Sequence, residues 1–277
     1  MAVTEITATK FQDMIRVAAH RINKNAEFVN SLNVFPVPDG DTGTNMNLTF
    51  QTGAKAVLES NEDAVGALAK RLGKGLLMGA RGNSGVISSQ LFRGFAKSVE
   101  GKKNLSAQDL ADAFVHGVET AYKAVMKPVE GTILTVAREA AKAGLKAANG
   151  SDDALVVMTA VVKGAKRALA KTPDLLAVLK EVGVVDSGGQ GLVFIYEGFR
   201  EGLSGEISSD VHDVTDEEMT EMINAVHHQS AQTQLDPADI VYGYCTEMMV
   251  ELGHGDQFKH FDYEPFRNYL NLSLIHI

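Results

Sequence analysis

Apolar residues return every third or fourth position through one segment after another of the first two hundred residues, a period that commits the chain to helices packed on helices. Phe11, Ile15, Ala18, Ile22, Ala26 and Val29 predict a single opening helix, and Ile87, Leu91, Phe95 and Val99 repeat the stripe later. Ser106 followed by Asp109 predicts a capping-box start, continued by Leu110, Phe114, Val118 and Tyr122. Ser151 is the expected cap of a helix bearing Leu155, Met158, Val162, Ala165 and Leu169. Further helices are expected over 44–60, 63–78, 130–148 and 187–203, about eight before residue 205, with no strand among them. Ala, Leu, Lys, Glu and Met dominate while aromatic residues are 6%, a balance that favours helices meeting through small side chains. The expectation for this part is an all-α domain.

The texture changes near Gly205. A polar, acidic stretch without an apolar stripe reads as a linker, giving a helical domain over 1–205, a linker over 206–217 and a second unit over 218–277. Within that unit, residues 240–252 are rich in β-branched and aromatic side chains and predict a strand, the start of a small α/β domain. About 60 residues is little for an independent core, so an incomplete domain is expected. A net charge of −9 without a Lys/Arg run argues against nucleic acid. The first ten residues lack a signal-like apolar core, and no stretch reaches the ~18 apolar residues of a membrane span; a cytoplasmic protein is expected. One cysteine, Cys245, leaves no internal disulfide framework.

Four helix junctions are richer in Gly and small polar residues than a turn requires. In the first, Pro38-Asp39-Gly40-Asp41-Thr42-Gly43 presents two neighbouring carboxylates, followed by Thr44 and Asn45 at the next helix start. Paired carboxylates repel unless a proton or cation relieves them, and a hard cation with phosphate oxygens is the usual partner. An EF-hand is excluded by count: starting at Asp39, glycine falls at position five rather than six, and position twelve is Phe50. Mg²⁺ therefore fits better than Ca²⁺. The second junction, Met78 to Gly85, carries Arg81, Gly82, Asn83 and Ser84, but neither a Walker A lysine nor a preceding strand. The third, Met126 to Thr132, contains Pro128, Gly131 and Thr132, and the fourth, Val185 to Gly191, contains Asp186, Gly188 and Gly189. Alone, each reads first as a helix-capping turn. In an up-and-down helical barrel, however, alternate junctions gather at one end, and the four together make one Gly-lined mouth.

With these residues in view, the chain resembles the ATP-binding subunits of fatty-acid kinases, whose N-terminal domain is of the dihydroxyacetone kinase L-type (DhaL-like). The likeness covers roughly residues 5–205. It is carried by Asn33 to Met46, Gly79 to Gln90, Glu130 to Leu134 and Val185 to Gly191, the first two being the most specific. The resemblance implies an eight-helix up-and-down barrel with ATP and two Mg²⁺ ions at one end. It implies Asp39 and Asp41 as catalytic metal ligands, with Asn33 at a third ligand position where other branches carry a carboxylate. It places Thr42, Gly43, Thr44, Asn45, Gly82, Asn83, Ser84, Gly131 and Thr132 around phosphates, and Asp186, Gly188 and Gly189 over the nucleotide. The acceptor it implies is a fatty-acid carboxylate on a separate DegV-like lipid-binding protein, giving an acyl phosphate.

Tyr242-Gly243-Tyr244-Cys245-Thr246-Glu247 looks like the opening of that family's middle domain, where the cysteine binds Zn²⁺ with a later His-x-His. The likeness fades after about Leu270; His254, His260 and His276 are poorly spaced substitutes, so Zn²⁺ is expected only in a complete middle domain and the chain reads as truncated. Two rivals stay open: a dihydroxyacetone kinase subunit with the same site, and a nucleotide-binding regulatory module without turnover. Whether a second copy of the chain is a partner is also open.

Overall fold

A computed structural model describes residues 2–205 and, beyond them, 207, 211, 215, 218–220 and 262–274. The chain divides into two units, residues 1–237 and 238–277. Among its described residues, eight long helices build the first: α1 (Ala8–Lys24), α3 (Thr42–Leu58), α4 (Val65–Met78), α5 (Gly82–Ser98), α6 (Ala107–Ala124), α7 (Ile133–Ala148), α8 (Ala154–Leu169) and α11 (Ser187–Ser204). Three short helices join them: α2 (Ala26–Ser31), α9 (Thr172–Leu175) and α10 (Ala177–Val182). Among the described residues the one β-type pairing is an isolated bridge between Ile6 and Leu105, so the all-α expectation holds.

Local chemistry explains where helices begin and break. Ser106 Oγ accepts the Asp109 N–H at 3.1 Å while Asp109 Oδ2 accepts the Ser106 N–H at 3.0 Å, completing the expected capping box on α6. The cap of α8 differs from expectation: Asp153 takes the position, its Oδ1 accepting the Leu155 N–H at 2.9 Å, while Ser151 Oγ accepts the Asp153 N–H. The opening stripe also divides into α1 and α2. Asn25 Nδ2 donates to the Arg21 carbonyl at 2.8 Å, taking the acceptor that a continuing helix would give to its own N–H, which bonds Ile22 O instead.

Each long helix packs on the next in the order α1, α3, α4, α5, α6, α7, α8, α11, and α11 closes the ring on α1. Small residues set the closest approaches. A Cβ on Gly198 of α11 would lie 2.3 Å from the Ala18 Cα of α1, and one on Gly117 of α6 would lie 2.6 Å from the Leu91 carbonyl oxygen of α5. Inside, Phe11, Phe50, Phe92, Phe95, Phe114, Tyr196 and Phe199 form one connected aromatic cluster drawn from five helices, with neighbouring centroids 5.2–6.5 Å apart. Each such pair contributes ~0.5–1.5 kcal/mol beyond its area burial.

Up-and-down connection sorts the junctions. The N-terminal segment laces one end, through Ile6–Leu105 and through the Ala154 N–H donating to Val3 O at 2.8 Å. The junctions 32–41, 79–81, 125–132 and 170–186 all fall at the other. Within the second unit, Tyr263–Leu274 is a helix. The expected strand over 240–252 and Cys245 lie outside the described residues.

Candidate functional site

The site is built on the mouth junctions. In the loop before α3, Asn33 is buried and its amide holds the backbone: Nδ2 donates to Val37 O at 3.0 Å, and Oδ1 accepts the Asp41 N–H at 3.2 Å. Gly40, at φ +68°, turns the chain so that Asp39 and Asp41 stand side by side. Burial, then the Asp41 charge and a hydrogen bond shared with it, push the Asp39 carboxyl up to about 6. Asp41 occupies the N-cap position of α3 yet its carboxylate makes no capping hydrogen bond. The pair is therefore not spent on closing the helix. Crowded carboxylates beside the start of a helix fit a divalent cation together with anionic oxygens. Among the described residues no cluster of three or more His, Cys, Asp or Glu side chains could hold a metal, so further ligands would have to come from Asn33, water or the anion.

The first turn of α3 is pinned from both sides. Asn30 of α2 grips Thr44, its Oδ1 accepting the Thr44 N–H at 3.0 Å and its Nδ2 donating to Thr44 Oγ1 at 2.8 Å. Ser187 Oγ donates to Thr42 Oγ1 at 3.3 Å, joining the first junction to the fourth. Thr49 Oγ1 accepts the Arg81 N–H at 3.1 Å and donates to Asn45 O at 2.7 Å, joining it to the second. Gly82, at φ +58°, lies so near Asn45 that a Cβ there would stand 2.6 Å from Asn45 Nδ2. Asn83 is exposed and Ser84 half-buried on the first turn of α5.

Asp186 links the third and fourth junctions. It is 5% exposed, and its Oδ2 accepts the Gly189 N–H at 2.7 Å as the cap of α11, with the Ile133 N–H at the start of α7 as a second donor. Burial outweighs both donors and pushes its carboxyl up to about 6. Its carboxylate is thus engaged inside the fold, alongside buried Gly188 and Gly189. Thr132 is half-buried, its Oγ1 donating to the exposed Val129 carbonyl at 2.7 Å, and Gly131 beside it is buried.

The predicted residues of the four junctions consequently share one end, three of the links being direct hydrogen bonds. Sequence reading missed the residues that hold them: Asn30, Thr49, Thr135 and Thr172, the last accepting the Asp186 N–H at 3.0 Å. The available signal was a polar side chain within an apolar stripe a turn from a Gly-rich loop.

Comparison with known proteins gives the family and the fold. Residues 36–201 match the DAK2 domain. An uncharacterized Staphylococcus epidermidis protein is 53% identical over 268 residues, covering 96% of this chain and 47% of its own length. Protein YloV of Bacillus subtilis is 51% identical over 272 residues, covering 98% of this chain and 48% of its own. The chain thus spans about half the length of the curated relatives it matches. The crystal structure of the dihydroxyacetone kinase of C. freundii shares the fold, with a TM-score of 0.50 at 19% identity over 69% of this chain and 34% of that one.

Proposed function

This chain belongs to the DAK2 domain family, and on that premise we propose that its mouth is the ATP site of a kinase whose acceptor is a fatty-acid carboxylate held by a separate DegV-like protein. The observation that carries the reading is the Asp39–Asp41 pair: crowded, partly buried and not used as a cap. In this proposal Asp39 and Asp41 hold Mg²⁺, two ions on the family pattern, with Asn33 fixing the loop behind them. Bound there, the metal would neutralise charge on the β- and γ-phosphate oxygens. Thr42, Thr44, Asn45, Asn83 and Ser84, with the first-turn N–H groups of α3 and α5, orient the phosphates, and Gly131, Gly188 and Gly189 let backbone approach them. A carboxylate acceptor is already ionised at neutral pH, so no side chain has to remove a proton.

The surroundings of the mouth support a macromolecular acceptor carrier. Phe28, Val37, Met78, Met126, Leu175 and Val182 are large apolar side chains exposed at that end, a concentration that suits docking better than free solvent.

Phosphoryl transfer with ATP, Mg²⁺, a fatty acid and its carrier tests the proposal, comparing wild type with Asp41→Ala. A loss on the order of 100-fold or more with helicity unchanged is expected. Turnover retained in Asp41→Ala would remove the metal assignment. Transfer to dihydroxyacetone instead would reassign the acceptor, and Mg·ATP binding without transfer would favour a regulatory module.

A further inference from the structure

The turn at Gly131–Thr132 is held by a relay of side chains outside the proposed ligand contacts. Thr135, one turn into α7, is 3% exposed, and its Oγ1 accepts the Gly131 N–H at 2.8 Å. The same hydroxyl donates to Glu130 Oε2 at 2.6 Å. The other oxygen of that carboxylate, Oε1, accepts Arg138 Nη1 at 2.6 Å and Tyr122 Oη–H at 3.1 Å, and Arg138 Nη1 also donates to Tyr122 Oη at 2.8 Å. Arg138 foremost, with Thr135 and Tyr122, holds the Glu130 carboxyl below its ordinary range. On its opposite side Gly131, at φ +83°, is pressed against the α9–α10 junction: a Cβ there would meet Leu176 Cβ at 2.9 Å and Leu175 Cβ at 3.0 Å. The turn is fixed from both sides.

We propose that Thr135 and Glu130 are positioning residues, which set the Gly131–Thr132 turn in register for a triphosphate without touching it. The inference rests on the nucleotide reading above. A purely structural role suits the relay poorly, because its outer members lie at the surface: Glu130 is exposed and Arg138 half-buried, a partly exposed ion pair of the kind that adds little to stability. Their geometric consequence is concentrated in one buried N–H at the mouth. The Thr135 hydroxyl is the joint, since it alone both accepts from Gly131 and donates to Glu130.

Thr135→Val keeps the volume and deletes the joint; Thr135→Ser keeps the joint. Titration calorimetry with Mg·ATP on the intact chain separates affinity from the fraction of competent molecules. The expected result is a Kd raised about tenfold or more in Thr135→Val at unchanged stoichiometry, with Thr135→Ser within about twofold of wild type. Glu130→Gln should fall between them. Gly131 amide exchange, read without nucleotide, should accelerate in Thr135→Val and not in Thr135→Ser. Equal Kd for the Val and Ser variants, or reduced stoichiometry at unchanged Kd, would overturn the positioning role alone. A wild-type chain that binds no Mg·ATP would overturn the nucleotide reading and this role with it, whatever the exchange rates show.

Discussion

Asp39 carries a conflict that its neighbours create. Burial and the adjacent Asp41 raise its carboxyl to about 6, so the folded chain binds that proton more tightly than the unfolded one. The stabilisation from this group is complete below the ordinary carboxylate range and is lost as pH rises to about 6; at neutral pH the ionised pair is a burden. Asp39→Asn should therefore raise the metal-free melting temperature at pH 7.5 and lose that advantage near pH 4, while abolishing Mg²⁺-dependent nucleotide binding. Melts of both proteins across that range, with and without Mg·ATP, decide it; equal melting at pH 7.5 would contradict the strained pair. Asp186 shows the opposite balance between cost and use. Its raised carboxyl is buried at a cost, but it holds the Gly189 and Ile133 N–H groups. Asp186→Ala should destabilise by about 1–2 kcal/mol in denaturant unfolding, the range of a lost N-cap. The Asp39–Gly40–Asp41 pair was legible in sequence because both charges lie in one short loop. The engagement of Asp186 was not, because its second donor, Ile133, belongs to another helix.

At the scale of elements, the apolar period named all eight long helices, since a stripe of spacing three and four has one economical fold. It misjudged two local events, both decided by a polar side chain. Asn25 bonds backward to Arg21 and divides the opening helix, and Asp153 rather than Ser151 caps α8. The stripes also left the partners of each helix open, and glycine settles part of that. Gly198 and Gly202 let α11 lie against α1, where a Cβ would come 2.3 Å from Ala18 Cα and 2.6 Å from Met14 Cα. Gly198→Ala must push backbone from backbone, and a loss of roughly 1–3 kcal/mol or more is expected, read as a fall in unfolding midpoint. A neutral result would mean that α1 and α11 slide freely. Across the same contact Arg21 forks onto Glu197 at 2.8 Å and Glu201 at 2.9 Å, with Lys166 of α8 completing Glu197. That network ties three helices near the ring's closure.

At the scale of the molecule, the distribution of exposed apolar side chains carries the information. Most of the large ones on residues 2–205 stand at the mouth end rather than around the wall. If a carrier docks there, Met78→Glu should cut phosphorylation of the carried acceptor about tenfold while leaving the Kd for Mg·ATP unchanged, measured by transfer assay and calorimetry. A parallel loss in both would place Met78 in nucleotide binding instead. The sequence by itself determined the class of fold, the four loops and the family to which they belong. These are local matters: a period, a composition, a run of glycines. That the loops meet was decided by the tertiary structure, because alternation of helix direction sorts them to one end and closure of α11 on α1 brings the last beside the first. So, too, was the use made of each carboxylate. Asp41 makes no capping hydrogen bond at the start of its helix, whereas Asp186 is consumed by N–H groups within the fold, one of them from a helix distant in sequence.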